Sequence, residues 1–200
     1  MLDPFYPIVD SAGWLARLLP CGVKLTQLRV KSDDKDQIAQ EIVKARNLCA
    51  EYGAQLVVND HWKEAMDAGC DFVHLGQEDL DNVDIEALRG AGIRYGVTTH
   101  DHQELDRALS VEPHYIAFGP IYESAVMDVP FAPQGLVRLA EWRELTNGLP
   151  LVAVGGLTLD RAHDALEAGA DCVAVISDVL AAQDPEARVH DYIQATRKFA

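Results

Sequence analysis

Three patterns in this 200-residue sequence predict an α/β protein of the (β/α)8, or TIM, barrel class, with residues 1–200 forming a single domain. Short β-branched runs recur along the chain, segments with helical apolar spacing separate them, and one segment is echoed half a chain later. Alternation of this kind is typical of parallel strands joined by crossover helices. Such units can close into one barrel domain at a length where other folds divide.

The expected strands are short β-branched or aromatic runs. They lie at Phe5–Val9, Val23–Leu28, Gln55–Val58, Phe72–Leu75, Arg94–Val97, Tyr115–Phe118, Leu151–Val154 and Cys172–Ile176. Between strands, segments such as Asp34–Tyr52 and Gln134–Leu145 carry apolar residues at the spacing of a helix. The strand–helix unit therefore repeats along the whole chain.

The echo joins AMDAGCDFVHL, which begins at Ala65, to ALEAGADCVAV, which begins at Ala165. In each copy a glycine, Gly69 or Gly169, stands where a helix ends in a left-handed residue before the next strand. Helix-to-strand turns of any α/β protein converge on this pattern. The echo thus supports the α/β class, and its half-chain offset supports closure into a barrel.

The charge of the chain restricts its partners. It carries 32 acidic and 17 basic side chains, a formal charge of −15, which opposes binding to nucleic acid or to an anionic membrane surface. An anionic substrate must therefore meet a local cluster of Lys, Arg or metal. Residues 1–14 lack the basic and apolar regions of a signal peptide, and no apolar run reaches the length of a membrane span. We expect a cytoplasmic protein.

The cysteines Cys21, Cys49, Cys70 and Cys172 are widely separated and form no C-x-x-C pair. Each lies in or beside an apolar segment. Buried free thiols are therefore expected rather than disulfides or a metal site.

The second strand ends in polar residues, and active sites of this fold lie at the carboxyl ends of the strands. Alternation along Gln27-Leu28-Arg29-Val30-Lys31 places Gln27, Arg29 and Lys31 on the side that faces the barrel mouth. Two cations and an amide suit a diphosphate, because Arg binds phosphate in bidentate fashion and Lys adds a compact charge. The alternative is that Arg29 and Lys31 are solvated loop charges.

Two carboxylates follow the next strands, Asp60 after strand three and Asp79 after strand four. Neighbouring parallel strands would bring them to the same face of the barrel. Mg²⁺ typically binds one or two carboxylates together with water and substrate phosphates. The alternative assigns Asp60 to capping the following helix at His61 and Asp79 to a turn.

A hydroxyl follows strand five, in the segment Gly96-Val97-Thr98-Thr99-His100. Thr98 could donate to a phosphate oxygen, or it could cap the helix that begins near His102. We favour the binding role for Thr98. His100 could act as a base, but a lone His in this position is more often a loop or cap residue, and it stays unassigned.

The loops after strands seven and eight contain the pair Gly155-Gly156 and the segment Ile176-Ser177-Asp178. Glycine lets backbone N–H groups approach a phosphate, and these two loops form the recurrent phosphate site of the fold. The alternative is tight packing without a ligand. The position of the glycine pair favours the phosphate site.

Together these segments resemble the thiamin-phosphate synthase family over nearly the whole chain. The matching segments are QLRVK, VVND, HLGQEDL, GVTTH, APQGL, AVGGLT and VISD. Their most specific part is QLR-x-K followed by ND and then GQ-x-D. The resemblance implies a TIM-barrel transferase of thiamin biosynthesis that joins hydroxymethylpyrimidine diphosphate to thiazole phosphate and releases diphosphate. It also implies Mg²⁺ as cofactor.

The resemblance also implies roles for individual residues. Catalytic roles fall to Arg29, Lys31 and Thr98, the last standing where the family usually has Ser. The pyrimidine diphosphate is implied to be held by Gln27, Arg29, Lys31 and Asn59, and Thr98 is a further substrate-binding position. Binding positions in the remaining loops are Ser124, Gly156 and Ser177, of which Gly156 and Ser177 hold the thiazole phosphate. The metal ligands are Asp60 and Asp79. Small-molecule substrates are the expected partners, with no nucleic acid and no membrane, and a homodimer is compatible with the sequence.

One loop departs from the family pattern, which usually reads like GPxxPTxTK. Glu123 replaces the Pro, Ser124 keeps the first hydroxyl, Val126 replaces the second Thr, and Met127 replaces a Lys that contacts diphosphate. This departure leaves open a non-catalytic or weakly active paralogue that binds thiamin precursors. A thiazole tautomerase is a lesser alternative, because the His it relies on is replaced by Pro120.

The lost cation also has candidate substitutes elsewhere in the chain. The sequence leaves open whether Lys24 or Lys63 takes the place of the missing Lys.

Overall fold

The computed structural model describes residues 2–123 and 131–200. Eight parallel strands pair in chain order, and the first pairs with the last to close a barrel. The strands are β1 Phe5–Val9, β2 Leu25–Leu28, β3 Gln55–Asn59, β4 Phe72–Leu75, β5 Arg94–Thr99, β6 Tyr115–Phe118, β7 Leu151–Val154 and β8 Cys172–Val175. The (β/α)8 barrel predicted from the sequence is confirmed.

The bounds of β1, β4, β6 and β7 match the expected ones, and those of β2, β3, β5 and β8 differ by one or two residues. At β2 the strand begins at Leu25 instead of Val23, because its pairing with β3 begins with Leu25 beside Gln55. At β5 the strand continues to Thr99, since Thr98 and Thr99 still pair with β6. These shifts matter because they decide which residues belong to the barrel wall and which to its mouth.

Helices connect the strands on the outside of the barrel. They are α1 Ala12–Leu18, α2 Lys35–Tyr52, α3 Trp62–Asp67, α4 Ile85–Gly90, α5 His102–Ser110, α6 Gly135–Leu145, α7 Leu159–Glu167, α8 Ser177–Leu180 and α9 Pro185–Thr196. Both helical segments expected from the sequence are confirmed in α2 and α6. Asp34 is the cap residue of α2, and its carboxylate accepts hydrogen bonds from two N–H groups of the first turn.

Two apolar layers support this architecture. The larger lies between the strands and the helices, and the smaller fills the barrel interior around residues such as Tyr6, Val57, Phe72 and Tyr115. Gly96 on β5 makes room for the Tyr115 ring, because a Cβ at that position would overlap the ring carbons. The barrel is therefore a packed core and not a pore, and active sites of this fold lie at its mouth.

The helix ends expected at the two glycines of the echo are observed. Gly69 and Gly169 have φ angles of 71° and 110°, the left-handed backbone expected after α3 and α7. All four cysteines are free thiols; Cys49, Cys70 and Cys172 are buried as expected, whereas Cys21 is only partly buried. Among the described residues, no helix is long and apolar enough to cross a membrane.

Candidate active site

The carboxyl end of β2 presents its polar residues as the alternation predicts. Gln27 is buried inside the barrel, where its Nε2 donates to the Tyr6 hydroxyl over 3.0 Å, while Leu28 packs in the outer apolar layer. Arg29 and Lys31 line two neighbouring cavities at the mouth. One, of about 360 Å³, is shared with Asp60; the other, of about 250 Å³, is shared with Ser177. The two cations thus lie between the carboxylate side of the mouth and the end of β8.

Asp60 and Asp79 lie on adjoining loops, close enough for the charge of Asp79 to act on the Asp60 carboxyl group. Asp60 is accessible from the mouth, yet desolvation by the surrounding strand ends and the charge of Asp79 raise its pKa. Arg29 acts in the opposite direction and lowers it. A pair of carboxylates that resists full ionisation is a place where a divalent cation would be stabilising.

Of the two alternative roles, helix capping by Asp60 and a turn at Asp79, the structure shows only the turn. Capping by Asp60 is wrong: the cap residue of α3 is His61, and Asp60 has a left-handed backbone with φ of 62°. The turn expected for Asp79 is observed, since its Oδ2 accepts from the Gly76 N–H over 2.7 Å. Asp79 therefore stabilises the turn after β4 through Oδ2, and it also lies near Asp60 on the adjoining loop after β3.

A buried hydrogen-bond network crosses the barrel beneath the mouth. The Tyr6 hydroxyl, which accepts from Gln27, lies 3.2 Å from the Tyr115 hydroxyl. Tyr115 lies 2.7 Å from His74 Nδ1, and His74 Nε2 lies 2.7 Å from the Thr98 hydroxyl. The network links Gln27 on β2 to Thr98 on β5.

His74 was not singled out in the sequence, although strand alternation could have identified it. Phe72 and His74 share one face of β4, and Phe72 belongs to the barrel interior. His74 lies two residues before Gly76, where the loop after β4 begins. It must therefore face the barrel interior near the mouth. Gln77 was missed as well: its Nε2 donates to the Thr98 carbonyl over 2.7 Å. Thr98 is thus held through both its side chain and its backbone by residues of the β4 segment.

We expect the His74 imidazole to remain neutral in the pH range where most enzymes work. Burial, assisted by the charge of Arg29, lowers its pKa to about 4. Because the pKa of an unfolded imidazole lies near 6.5, the folded protein should lose stability as pH falls from that value toward 4. Nitrogen NMR of the imidazole, assigned with His74→Gln, checks this; a protonated ring at pH 6 would contradict it.

The cap alternative for Thr98 is wrong, because Asp101 is the cap residue of α5 and accepts from the Glu104 N–H.

His100 is fixed by two contacts. Its Nδ1 lies 2.7 Å from Glu104 Oε2, and its ring stacks on Phe131 with 4.3 Å between centroids. His100 is therefore packed between Glu104 of α5 and the ring of Phe131.

The glycine pair after β7 is required by packing. Gly155 and Gly156 have φ angles of 98° and 62°, and a Cβ on either would overlap the segment around Pro120 and Glu123. Tight packing, the alternative from the sequence, therefore explains both glycines. It does not exclude a ligand, since Gly156 and Ser177, the first residue of α8, both line a groove of about 580 Å³.

The altered loop after β6 and the two lysines proposed to replace its missing cation have different outcomes. Ser124, Val126 and Met127 fall outside the described residues. Lys24 immediately precedes β2 and so lies at the opposite end of the barrel from the mouth. Lys63 places its ammonium 5.1 Å from the centre of the Trp62 ring. Of the two candidates for the missing loop cation, Lys24 is thus ruled out by its place in the fold.

Comparisons with known proteins identify the family of this chain. The profile of the family described as Thiamine monophosphate synthase matches residues 5–179. A Thiamine-phosphate synthase of Rhizobium etli is 49% identical over 195 residues, which are 98% of this chain and 96% of that protein. One from Neisseria meningitidis serogroup B is 43% identical over 185 residues, 92% of this chain and 90% of the relative.

A solved structure supports the fold independently. Thiamine phosphate pyrophosphorylase from Pyrococcus furiosus superposes with a TM-score of 0.86 at 24% identity, covering 98% of this chain and 96% of that one. The profile match and the curated relatives each span most of the sequence. The chain belongs to the thiamine monophosphate synthase family.

Proposed function

We propose that this chain is a thiamine-phosphate synthase, a transferase that joins hydroxymethylpyrimidine diphosphate to thiazole phosphate. One observation carries the proposal: Arg29 and Lys31 share a cavity at the barrel mouth with Asp60, and the charge of Asp79 acts on the Asp60 carboxyl group. Cations beside a carboxylate pair suit a diphosphate that binds through a divalent metal. The names of the curated relatives and their high coverage support the same activity.

The carboxylate pair fits Mg²⁺. No group of three or more His, Cys, Asp or Glu side chains forms a metal cluster within residues 2–123 and 131–200. Two hard oxygen donors suffice for Mg²⁺, however, because it usually keeps water and takes further oxygens from substrate phosphates. In this proposal Asp60 and Asp79 hold the ion, which when bound would neutralise charge on the leaving diphosphate.

Arg29 and Lys31 contact the diphosphate directly in this proposal. Breaking the bond between the pyrimidine methylene carbon and the diphosphate oxygen leaves the electron pair on the leaving group. Guanidinium and ammonium groups fixed at that oxygen stabilise the developing charge. The thiazole nitrogen then forms the new C–N bond, so no side chain needs to act as a nucleophile.

The buried network orients the pyrimidine end. Gln27 donates to Tyr6 through Nε2, so the amide is oriented with its carbonyl oxygen available to the amino group of an aminopyrimidine. Asn59 is buried on the adjacent strand β3 and lies opposite His74 in the sheet. Thr98 is held by His74 and Gln77 on the far side. These residues fix the ring so that its methylene carbon faces the second substrate.

Purified protein incubated with both substrates and Mg²⁺ is expected to yield thiamin phosphate and diphosphate, and to yield neither after removal of the metal with EDTA. Chromatography of the product checks this directly. Binding of both substrates without product at high enzyme concentration would overturn the proposal. The non-catalytic paralogue, favoured by Met127 in place of the family Lys, would then take its place.

A further inference from the structure

The groove lined by Gly156 and Ser177 has a volume of about 580 Å³ and runs beside the barrel mouth between the loop after β7 and the α8–α9 segment. In the proposed function these two residues meet the phosphate of the thiazole substrate. A phosphate monoester carries nearly two negative charges at neutral pH. The groove must therefore accept a small, highly charged anion.

The groove's own charge opposes such a ligand. Its charged lining comprises Glu123, Asp178, Asp184, Asp191, Arg161 and Arg188. Acidic side chains outnumber the basic ones, and the chain as a whole carries a formal charge of −15. If only glycine N–H groups bound the phosphate, the repulsion between the phosphate and the acidic side chains of the groove would stay uncompensated. Binding therefore needs a cation in contact with the phosphate.

Of the two arginines, Arg188 already faces a carboxylate. Its Nη1 lies 3.9 Å from Asp178 Oδ2, an oxygen that also accepts from the Tyr192 hydroxyl. For Arg161, no carboxylate oxygen within 4.0 Å is found in the described part of the chain. Arg161 is thus the groove cation whose charge is available to a ligand.

The Arg161 guanidinium is held in place at the phosphate loop. Its Nη1 donates to the Gly156 carbonyl over 2.8 Å, and its central carbon lies 4.6 Å from the centre of the Tyr122 ring. Tyr122 is itself anchored, since its N–H donates to the Gly155 carbonyl over 3.0 Å. A guanidinium has five N–H donors, and the bond to Gly156 uses one of them. The remaining N–H donors belong to a guanidinium whose position is fixed by its contacts with Gly156 and Tyr122.

We infer that Arg161 is a substrate-binding residue that selects the phosphorylated form of the thiazole, an inference that rests on the proposed function. Its guanidinium pairs with the phosphate monoester while Gly156 and Ser177 position it. The ligand class is a phosphate monoester on a small heterocyclic alcohol. The unphosphorylated alcohol forgoes the charge-assisted contact and binds without help from Arg161.

Calorimetry of wild type and Arg161→Gln, with Mg²⁺ and diphosphate present, tests the inference against thiazole phosphate and the unphosphorylated thiazole alcohol. Loss of one charge-assisted contact is expected to raise the Kd of thiazole phosphate roughly ten- to a hundredfold. The Kd of the alcohol should change less than about twofold, since it lacks the charge. In turnover, KM for the pyrimidine diphosphate should stay unchanged.

Two further variants sharpen the result. Arg161→Lys keeps the charge without the planar fork and should recover part of the affinity, and it replaces Arg161→Gln in the test if the latter unfolds. Arg188→Gln removes the other groove cation and should leave the Kd of thiazole phosphate unchanged. Equal loss for phosphate and alcohol, no loss in Arg161→Gln, or no binding of thiazole phosphate by wild type would each overturn the inference. Phosphate-selective binding without turnover would overturn only the proposed synthase activity.

Discussion

Replacing either mouth carboxylate by its amide, Asp60→Asn or Asp79→Asn, is expected to lower kcat/KM at fixed Mg²⁺ by roughly two decades or more. A metal at a developing oxyanion contributes several kcal/mol, and about 1.36 kcal/mol corresponds to a decade in rate. An amide keeps the shape of the side chain but loses the anionic oxygen that Mg²⁺ prefers. Rates measured across a Mg²⁺ series should show the midpoint moving to higher concentration.

Asp81→Asn is the matched control for these variants. Asp81 lies two residues from Asp79 in the same short 3-10 helix, but its carboxylate is exposed and pairs with Arg107 over 2.6 Å. Exposed pairs of this kind contribute little, so the variant should retain its Mg²⁺ dependence. An Asp60→Asn enzyme with wild-type Mg²⁺ dependence would remove Asp60 from the metal site.

Asp60→Asn should also stabilise the metal-free protein, and the gain should grow with pH. Desolvation and the charge of Asp79 raise the pKa of Asp60 in the folded state. Between the unfolded carboxyl pKa and this raised value the native state binds more protons than the unfolded state, so wild-type stability falls as pH rises. The amide removes this effect. Denaturant unfolding in EDTA at pH 4.5 and pH 8 checks it; equal differences at both pH values would contradict it.

Much of the fold could be predicted because its signals are local. An apolar run with two aromatic residues, Tyr115–Phe118, is buried on both faces and coincides with the observed β6. The glycine echo at Gly69 and Gly169 marks two helix ends whose left-handed backbone is set by the chain itself. The predicted end of β5 was wrong because it depends on tertiary structure. The strand extends to Thr99 because β6 pairs with it up to that residue.

The mouth was harder to predict because its geometry depends on contacts between strands distant in sequence. Strand alternation places Gln27 and Arg29 correctly, since it needs only a period of two. It does not show that His74 reaches Thr98, because that contact depends on the register of β4 against β5. Nor does a glycine pair in the sequence reveal that Gly156 is required by its packing against Glu123.

Arg29→Gln is expected to have the largest effect of any single cation, lowering kcat/KM for the pyrimidine diphosphate by about two to four decades. Two charge-assisted hydrogen bonds, each of about 1.5–3 kcal/mol, are lost together when a bidentate contact is removed. Arg29→Lys should recover part of this loss, since it restores charge without the planar fork. Arg17→Gln, which breaks an exposed pair with Glu186, is the control and should leave kcat/KM unchanged.

The place of the Arg29 charge can be measured without turnover. In the wild-type protein Arg29 lowers both the pKa of Asp60 and the pKa of His74. Removing the charge in Arg29→Gln should therefore raise both values, and the imidazole of His74 should begin to protonate at a higher pH than in wild type. Nitrogen NMR of the His74 ring gives this shift directly. If activity falls while the His74 titration stays unchanged, the Arg29 guanidinium does not lie between the carboxylate pair and the buried network, and its effect on the rate must come from loop structure instead of charge.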